Sequence, residues 1–174
     1  MDRSYPIGKF SYAGCASHPE RQERIARMES LPSVLEEAAR QWDIEGLSRP
    51  YRPGGWTRSQ VIHHLADSHI NFHIRLRLAL TEEHPTIKPY NENDWVLLAD
   101  SSSSTNVQNS LAIVRSVAER CASLFKTLTP AQWERTFFHP EIQKDFTVDF
   151  LLALFAWHGD HHAAHVALPD FINP

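Results

Sequence analysis

Four stretches of this chain repeat apolar side chains at steps of three and four residues, and none shows a convincing strand alternation. The first begins at Pro19, where Ile25, Met28, Leu35, Ala39 and Trp42 recur with Glu and Arg between them. Pro32 inside it predicts a kink or a division of the helix. The second opens at Thr57, which with Gln60 matches a capping box, and buries Val61, Leu65, Phe72, Leu76 and Ala79 before ending near Glu83. The third runs from about Asn106 to Leu128 on Val107, Leu111, Val114, Cys121 and Phe125. In the last, Thr147 can cap and Asp149 suits the positive helix end; Leu151, Phe155 and Val166 mark its apolar face, and Pro169 closes it. The pattern predicts an all-α fold, a four-helix bundle with a long crossover loop, in a single domain over residues 1–174.

The remaining segments read as connections. Met1–Ser17, with Pro6, Gly8 and Gly14, is expected to be an extended arm, and Ser48–Gly55 a loop. His84–Ser104 is a long connection with a short helix expected around Trp95–Leu98, and long connections often carry function. Thr129-Pro130 predicts a short helical turn holding Trp133, followed by an irregular stretch through Pro140. A chain of 174 residues can bury a real core.

Composition excludes several function classes. A net charge of -4 leaves no basic excess for a phosphate backbone, so nucleic acid is not an expected partner. The longest apolar run, Phe150–Trp157, stops at His158, well short of the roughly 20 residues a membrane helix needs. The opening MDRSYPIGKF lacks the apolar stretch of a signal peptide, and Cys15 and Cys121 form no disulfide framework. A cytoplasmic protein is the expectation.

The unusual count is eleven histidines. His63, His64, His69 and His73 share one segment, and His158, His161, His162 and His165 another. At about 100° per residue, His158 and His162 fall roughly 20° to either side of Leu151, near the centre of the last helix's apolar face. An i, i+4 pair there sets two imidazoles side by side to grip one ion. The alternative is interior histidines bonded to backbone or water; a pair facing the core, with a second cluster elsewhere, favours metal. On the second helix the wheel leaves the partner open. His69 lies nearer the apolar centre, whereas His64 heads a polar stripe with Ser68, Asn71 and Arg75 that either lines a pocket or is wet surface.

Other chemistries find little support. His158-Gly159-Asp160-His161-His162 lacks the glutamate of a zinc-protease helix, neither cysteine sits in a motif, and Gly54-Gly55 is not a phosphate loop.

Taken together, several segments resemble the DinB/YfiT family, most closely its YfiT-like branch. They are Tyr5-Pro-Ile-Gly-Lys-Phe10, Tyr51-Arg-Pro-Gly-Gly-Trp-Thr57, His63-His-Leu-Ala-Asp-Ser-His-Ile-Asn71, Ile87-Lys-Pro-Tyr90 and Trp157-His-Gly-Asp-His-His-Ala-Ala-His165. The resemblance implies a four-helix bundle and a metal site. It takes one histidine eight residues after the tryptophan before helix two, here His64, with His158 and His162 from the last helix. Three protein ligands leave positions open to substrate, as catalytic sites do. Neutral imidazoles suit zinc first and nickel second. The resemblance further implies a metal-dependent hydrolase acting on a small-molecule substrate, and a homodimer. Asp67, Asn71, Arg75 or Asp160 could orient water or substrate. Related branches transfer low-molecular-weight thiols such as bacillithiol, which makes an S-transferase the alternative. A non-catalytic metal-binding interaction module is the third reading.

Overall fold

The computed structural model describes residues 2–171. Four long helices dominate it: α1 (His18–Arg40), α3 (Arg58–Thr81), α5 (Val107–Phe125) and α7 (Val148–Ala167). Short elements fill the connections: α2 (Ile44–Ser48), α4 (Glu92–Trp95), α6 (Pro130–Trp133), β1 (Thr136–His139) and β2 (Lys144–Thr147). The main packing pairs are α1 with α7 and α5, and α3 with α5 and α7. The consecutive helices α1 and α3, and α5 and α7, therefore sit across the bundle's diagonals. None of the described helices is long and apolar enough to cross a membrane.

Helix starts follow the sequence signals. Thr57 accepts from Gln60 N while the Gln60 side chain accepts from Thr57 N, closing the expected capping box. Thr147 Oγ1 accepts from Phe150 N at 3.0 Å and starts α7. Pro32, however, neither ends nor divides α1. Leu31, Pro32 and Leu35 are all buried there, so packing on both sides outweighs the one hydrogen bond proline removes.

The expected irregular stretch before Pro140 is instead a β-hairpin, with Thr136 paired to Thr147 and His139 to Lys144. Gln143, at φ 55°, makes the left-handed turn, and its N–H donates to the His139 carbonyl. The short helix in the long connection lies at Glu92–Trp95, slightly before the expected position.

The core comprises two apolar clusters. One gathers Met28, Phe72, Leu76, Phe125, Leu151 and Phe155; the other gathers Leu35, Val61, Leu65, Leu111, Val114 and Val166. Where α1 meets α7, Gly159 permits close approach: a Cβ there would lie 2.5 Å from Leu31 Cδ2. That approach explains a glycine in a helix interior, where it otherwise costs about 1 kcal/mol.

The arm, whose first residue Met1 lies outside the described residues, is not merely unpatterned. Phe10 packs on Phe150 and Trp157, and Tyr12 on Phe150. Asp149, 0% exposed, accepts from the Tyr12 hydroxyl, the Ala16 N–H and Arg21 Nε, fastening the arm to the start of α7. At the other end of α7, buried Arg58 donates to the Gly46 and Leu168 carbonyls, pairs with Asp170 and stacks on Trp42.

Candidate metal centre

α3 presents His64 just before Leu65 of one apolar cluster, and α7 presents His158 and His162 between Phe155 and Val166. The three rings thus meet at the seam between the two halves of the core. Their centroids are 5.1 Å apart for His64 and His158, 4.8 Å for His64 and His162, and 4.5 Å for His158 and His162. One ligand nitrogen from each lies within 4.8 Å of the others, so the trio could hold one ion. His64 Nε2 and His158 Nε2 are 3.1 Å apart. Two nitrogens on a tetrahedral ion at about 2.1 Å would be about 3.4 Å apart, so the present geometry needs an adjustment of a few tenths of an ångström.

Burial keeps these imidazoles neutral, the form that binds metal. It lowers His64 to about 4, with the charge of His161 adding to the effect. Burial likewise pushes His158 and His162 well below the usual histidine range, and the neighbouring imidazoles push further the same way.

A second trio lies beside the first: His161, His162 and His165 also bring nitrogens within 4.8 Å. His162 belongs to both. Its Nδ1 is 3.3 Å from His165 Nδ1, while Tyr51 stacks on His165 at 4.0 Å and Trp157 on His161 at 4.5 Å.

Two cavities open onto these groups. One, of about 320 Å³, is lined by Trp56, His64, Asn71, Arg75, Tyr90, Glu92, His139, His158 and His162, among others. The other, of about 300 Å³, is lined by Tyr5, Tyr51, Arg52, Trp56, His161, His162 and His165, with backbone of the Gly54-Gly55 loop. Trp56 borders both, with its ring 4.9 Å from that of His64 and stacked at 6.4 Å on His162.

The polar stripe of α3 therefore lines a pocket: Ser68, Asn71 and Arg75 all face the first cavity with His64. His69 is 0% exposed, with Nδ1 donating to the Leu65 carbonyl and its ring against Phe155, outside both trios. His63 ties α3 to Ser110 and to the Ser103 carbonyl. Two suggested orienting residues lie elsewhere. Asp67 does not line the cavity, and Asp160 pairs with Arg27 beside a larger groove of about 580 Å³ between α1 and α7.

Sequence reasoning missed Glu92 and His139 as cavity residues. His139 arrives on the overlooked hairpin, whose signal was the β-favouring run Thr136-Phe137-Phe138 ahead of Pro140.

The model of the DinB superfamily matches residues 27–166, a span that contains all three histidines of the first trio. The chain belongs to the DinB superfamily. Among its relatives in that superfamily is the "Putative metal-dependent hydrolase YfiT" of Bacillus subtilis (strain 168), 41% identical over 95% of this chain and 93% of that protein. Another is the "Putative metal-dependent hydrolase OB0782" of Oceanobacillus iheyensis, 43% identical over 95% of each. The solved structure of YfiT, described as "a probable metal-dependent hydrolase with an unusual four-helix bundle topology", matches with a TM-score of 0.92. It is 40% identical and covers 95% of this chain and 94% of that one. A mycothiol-dependent maleylpyruvate isomerase shares the fold at TM-score 0.66 and 18% identity, over 85% of this chain and 61% of that one.

Proposed function

We propose that this DinB-superfamily protein is a metal-dependent hydrolase in which His64, His158 and His162 hold one zinc ion. The observation that carries the reading is the convergence of three desolvated, neutral imidazoles from two helices at the wall of a cavity of about 320 Å³. A zinc ion held by three imidazoles supplies Lewis acidity and an acidified water as nucleophile, which is the chemistry hydrolysis needs. Around it, Trp56 and Phe72 exclude bulk water from one side of the trio, while Asn71, Tyr90 and His139 offer polar atoms along the substrate's path. The similar proteins of Bacillus and Oceanobacillus, each named a "Putative metal-dependent hydrolase", support the same class of reaction. Nickel fits the same nitrogen donors less commonly. A homodimer, as the family resemblance implies, located in the cytoplasm, as the composition leads one to expect, completes the reading.

The test is a panel of esters and amides presented to zinc-loaded protein, with and without a low-molecular-weight thiol. Thiol-independent cleavage that rises through neutral pH and is lost in His64→Ala is expected. Turnover that requires the added thiol and forms a thioether would replace hydrolysis by thiol transfer. Buried Cys121, its thiol pushed up to about 11 by desolvation and placed beside His73, lines neither histidine cavity.

A further inference from the structure

We infer that the cavity beside the first histidine trio is a receptor for a small substrate carrying a carboxylate, held by Arg75 and the Tyr90 hydroxyl. The inference rests on the proposed function in placing the scissile group near the histidines, and it names the substrate class that reading leaves open.

Most half-buried arginines elsewhere in this protein are matched; Arg77 has no side-chain partner among the described residues either, but it lines neither histidine cavity. Arg21 and Arg27 meet Asp149 and Asp160, Arg135 donates to the Ala79 and Glu82 carbonyls, and fully buried Arg58 has two carbonyls and a carboxylate. Arg75 is also half-buried and lines the cavity, yet among the described residues it has no ion pair and no hydrogen bond. Its Nε is buried without an acceptor. A desolvated guanidinium with nothing to donate to is costly, and a planar carboxylate is the group its fork fits.

The neighbouring groups point the same way. Asn71 Nδ2 is occupied by the Asp67 carbonyl and the Ser68 hydroxyl by that of Leu65. The Tyr90 hydroxyl, on the same cavity wall, makes no hydrogen bond among the described residues. Burial raises its pKa well above the usual tyrosine value, so it remains a donor. His139 adds a buried Nδ1 that is likewise without a partner. Glu92 shares the wall but makes no ion pair with Arg75, and its carboxylate tells against a doubly charged phosphate. A volume of about 320 Å³ lies at the lower end for ligand sites and suits a small acid with an aromatic or short aliphatic body beside Trp56 and Phe72.

Arg75 and His64 lie on one stripe of α3, eleven residues or about 16 Å of helix apart, so receptor and histidines address different parts of one molecule.

The test uses metal-free protein, in which no ion can capture the acid. Phenylacetate, its uncharged analogue phenylacetamide and inorganic phosphate are titrated in turn by calorimetry. The acid is expected to bind about tenfold more tightly than the amide, and more tightly than phosphate. Arg75→Gln should erase the preference for acid over amide, and Arg75→Lys should keep part of it, with both variants retaining the helix signal and one zinc per chain. Equal binding of acid and amide by the native protein would overturn the inference, as would a preference that survives in Arg75→Gln. Stronger binding of phosphate would overturn the carboxylate assignment. A carboxylate preference with no ester cleaved by zinc-loaded protein would sink the hydrolase reading and leave the receptor standing. Cleavage of neutral esters with no acid preference would do the reverse.

Discussion

The two histidine trios share His162 and differ in what assembles them. His161, His162 and His165 come from little more than one turn of α7, so helix geometry alone brings them together. His64, His158 and His162 need α3 and α7 to pack at one register, and they face a cavity that continues to Arg75 and Tyr90. In the local trio the rings are already engaged: Tyr51 covers His165, Trp157 covers His161, and His165 Nδ1 meets His162 Nδ1. The difference separates the proposed site from its support. A metal-ligating histidine is ordinarily oriented through its second ring nitrogen, and His165 is placed to do that for His162.

The largest effect should come from breaking the inter-helix trio. Alanine at His64, His158 or His162 is expected to weaken zinc binding by more than about 100-fold, the upper range for a supporting residue. His165→Ala should fall between about 10- and 100-fold, and His161→Ala below tenfold. Competition with a chromophoric chelator measures all five. Equal losses at His161 and His64 would erase the distinction between site and support.

Next in size is a change at Gly159, where α7 packs on α1 immediately after His158. Gly159→Ala drives a methyl into buried Leu31 and is expected to destabilise the fold by about 1–3 kcal/mol in urea unfolding. By displacing the turn after His158 it should also weaken zinc binding, while the stacking of Tyr51 on His165 persists. Unchanged stability would mean that α1 and α7 have slack between them.

The pH response should be common to both trios. His64 and His165 are each lowered to about 4, chiefly by burial, as is His69 outside them. Their folded values lie below the unfolded value of about 6.5, so over that window the unfolded chain binds more protons. Stability of the metal-free protein should therefore be complete above about pH 6.5 and decline as the pH falls toward 4. Thermal melts from pH 7.5 to 4.5 would show it, and His69→Gln should flatten the slope without touching zinc affinity. A flat profile in the native protein would contradict the buried, neutral state of these rings.

Sequence reasoning reached one side of this comparison more easily than the other. The pair His158 and His162 stood out because the centre of α7's apolar face is also the centre of the proposed site. On α3 the wheel left the partner open and put His69 nearer the apolar centre, since it measures direction toward the core and the trio lies at the seam between two apolar clusters. His69 is indeed the more buried of the two, against Phe155, and the family resemblance was needed to single out His64. Asp160 was within reach of the same wheel: it lies two residues from both His158 and His162, about 200° round the helix, and turns to Arg27. The hairpin stayed hidden because its strands are four residues each, too short for alternation to stand out. With it went His139. Capping signals at Thr57 and Thr147 are strictly local, and both appear where the sequence placed them.

The smallest expected effect concerns what remains when the ion is removed. Structural zinc sites fold with their metal, but here α3 and α7 are held by Leu65, Phe72, Phe155 and Val166, all of which are buried without it. Chelation should leave the far-ultraviolet helix signal unchanged and lower the melting temperature only by the binding free energy it forfeits. The two trios should then part company. In the chelated protein the imidazole resonances of His161 and His165 should stay put, since stacking and the His162–His165 contact need no ion. Those of His64 and His158 should shift, because their Nε2 atoms, 3.1 Å apart, must share a proton once nothing else lies between them. Loss of helix on chelation would make the ion a structural staple and remove the argument for an open, catalytic site. Equal shifts in both trios would mean that the local one also takes part in holding the metal.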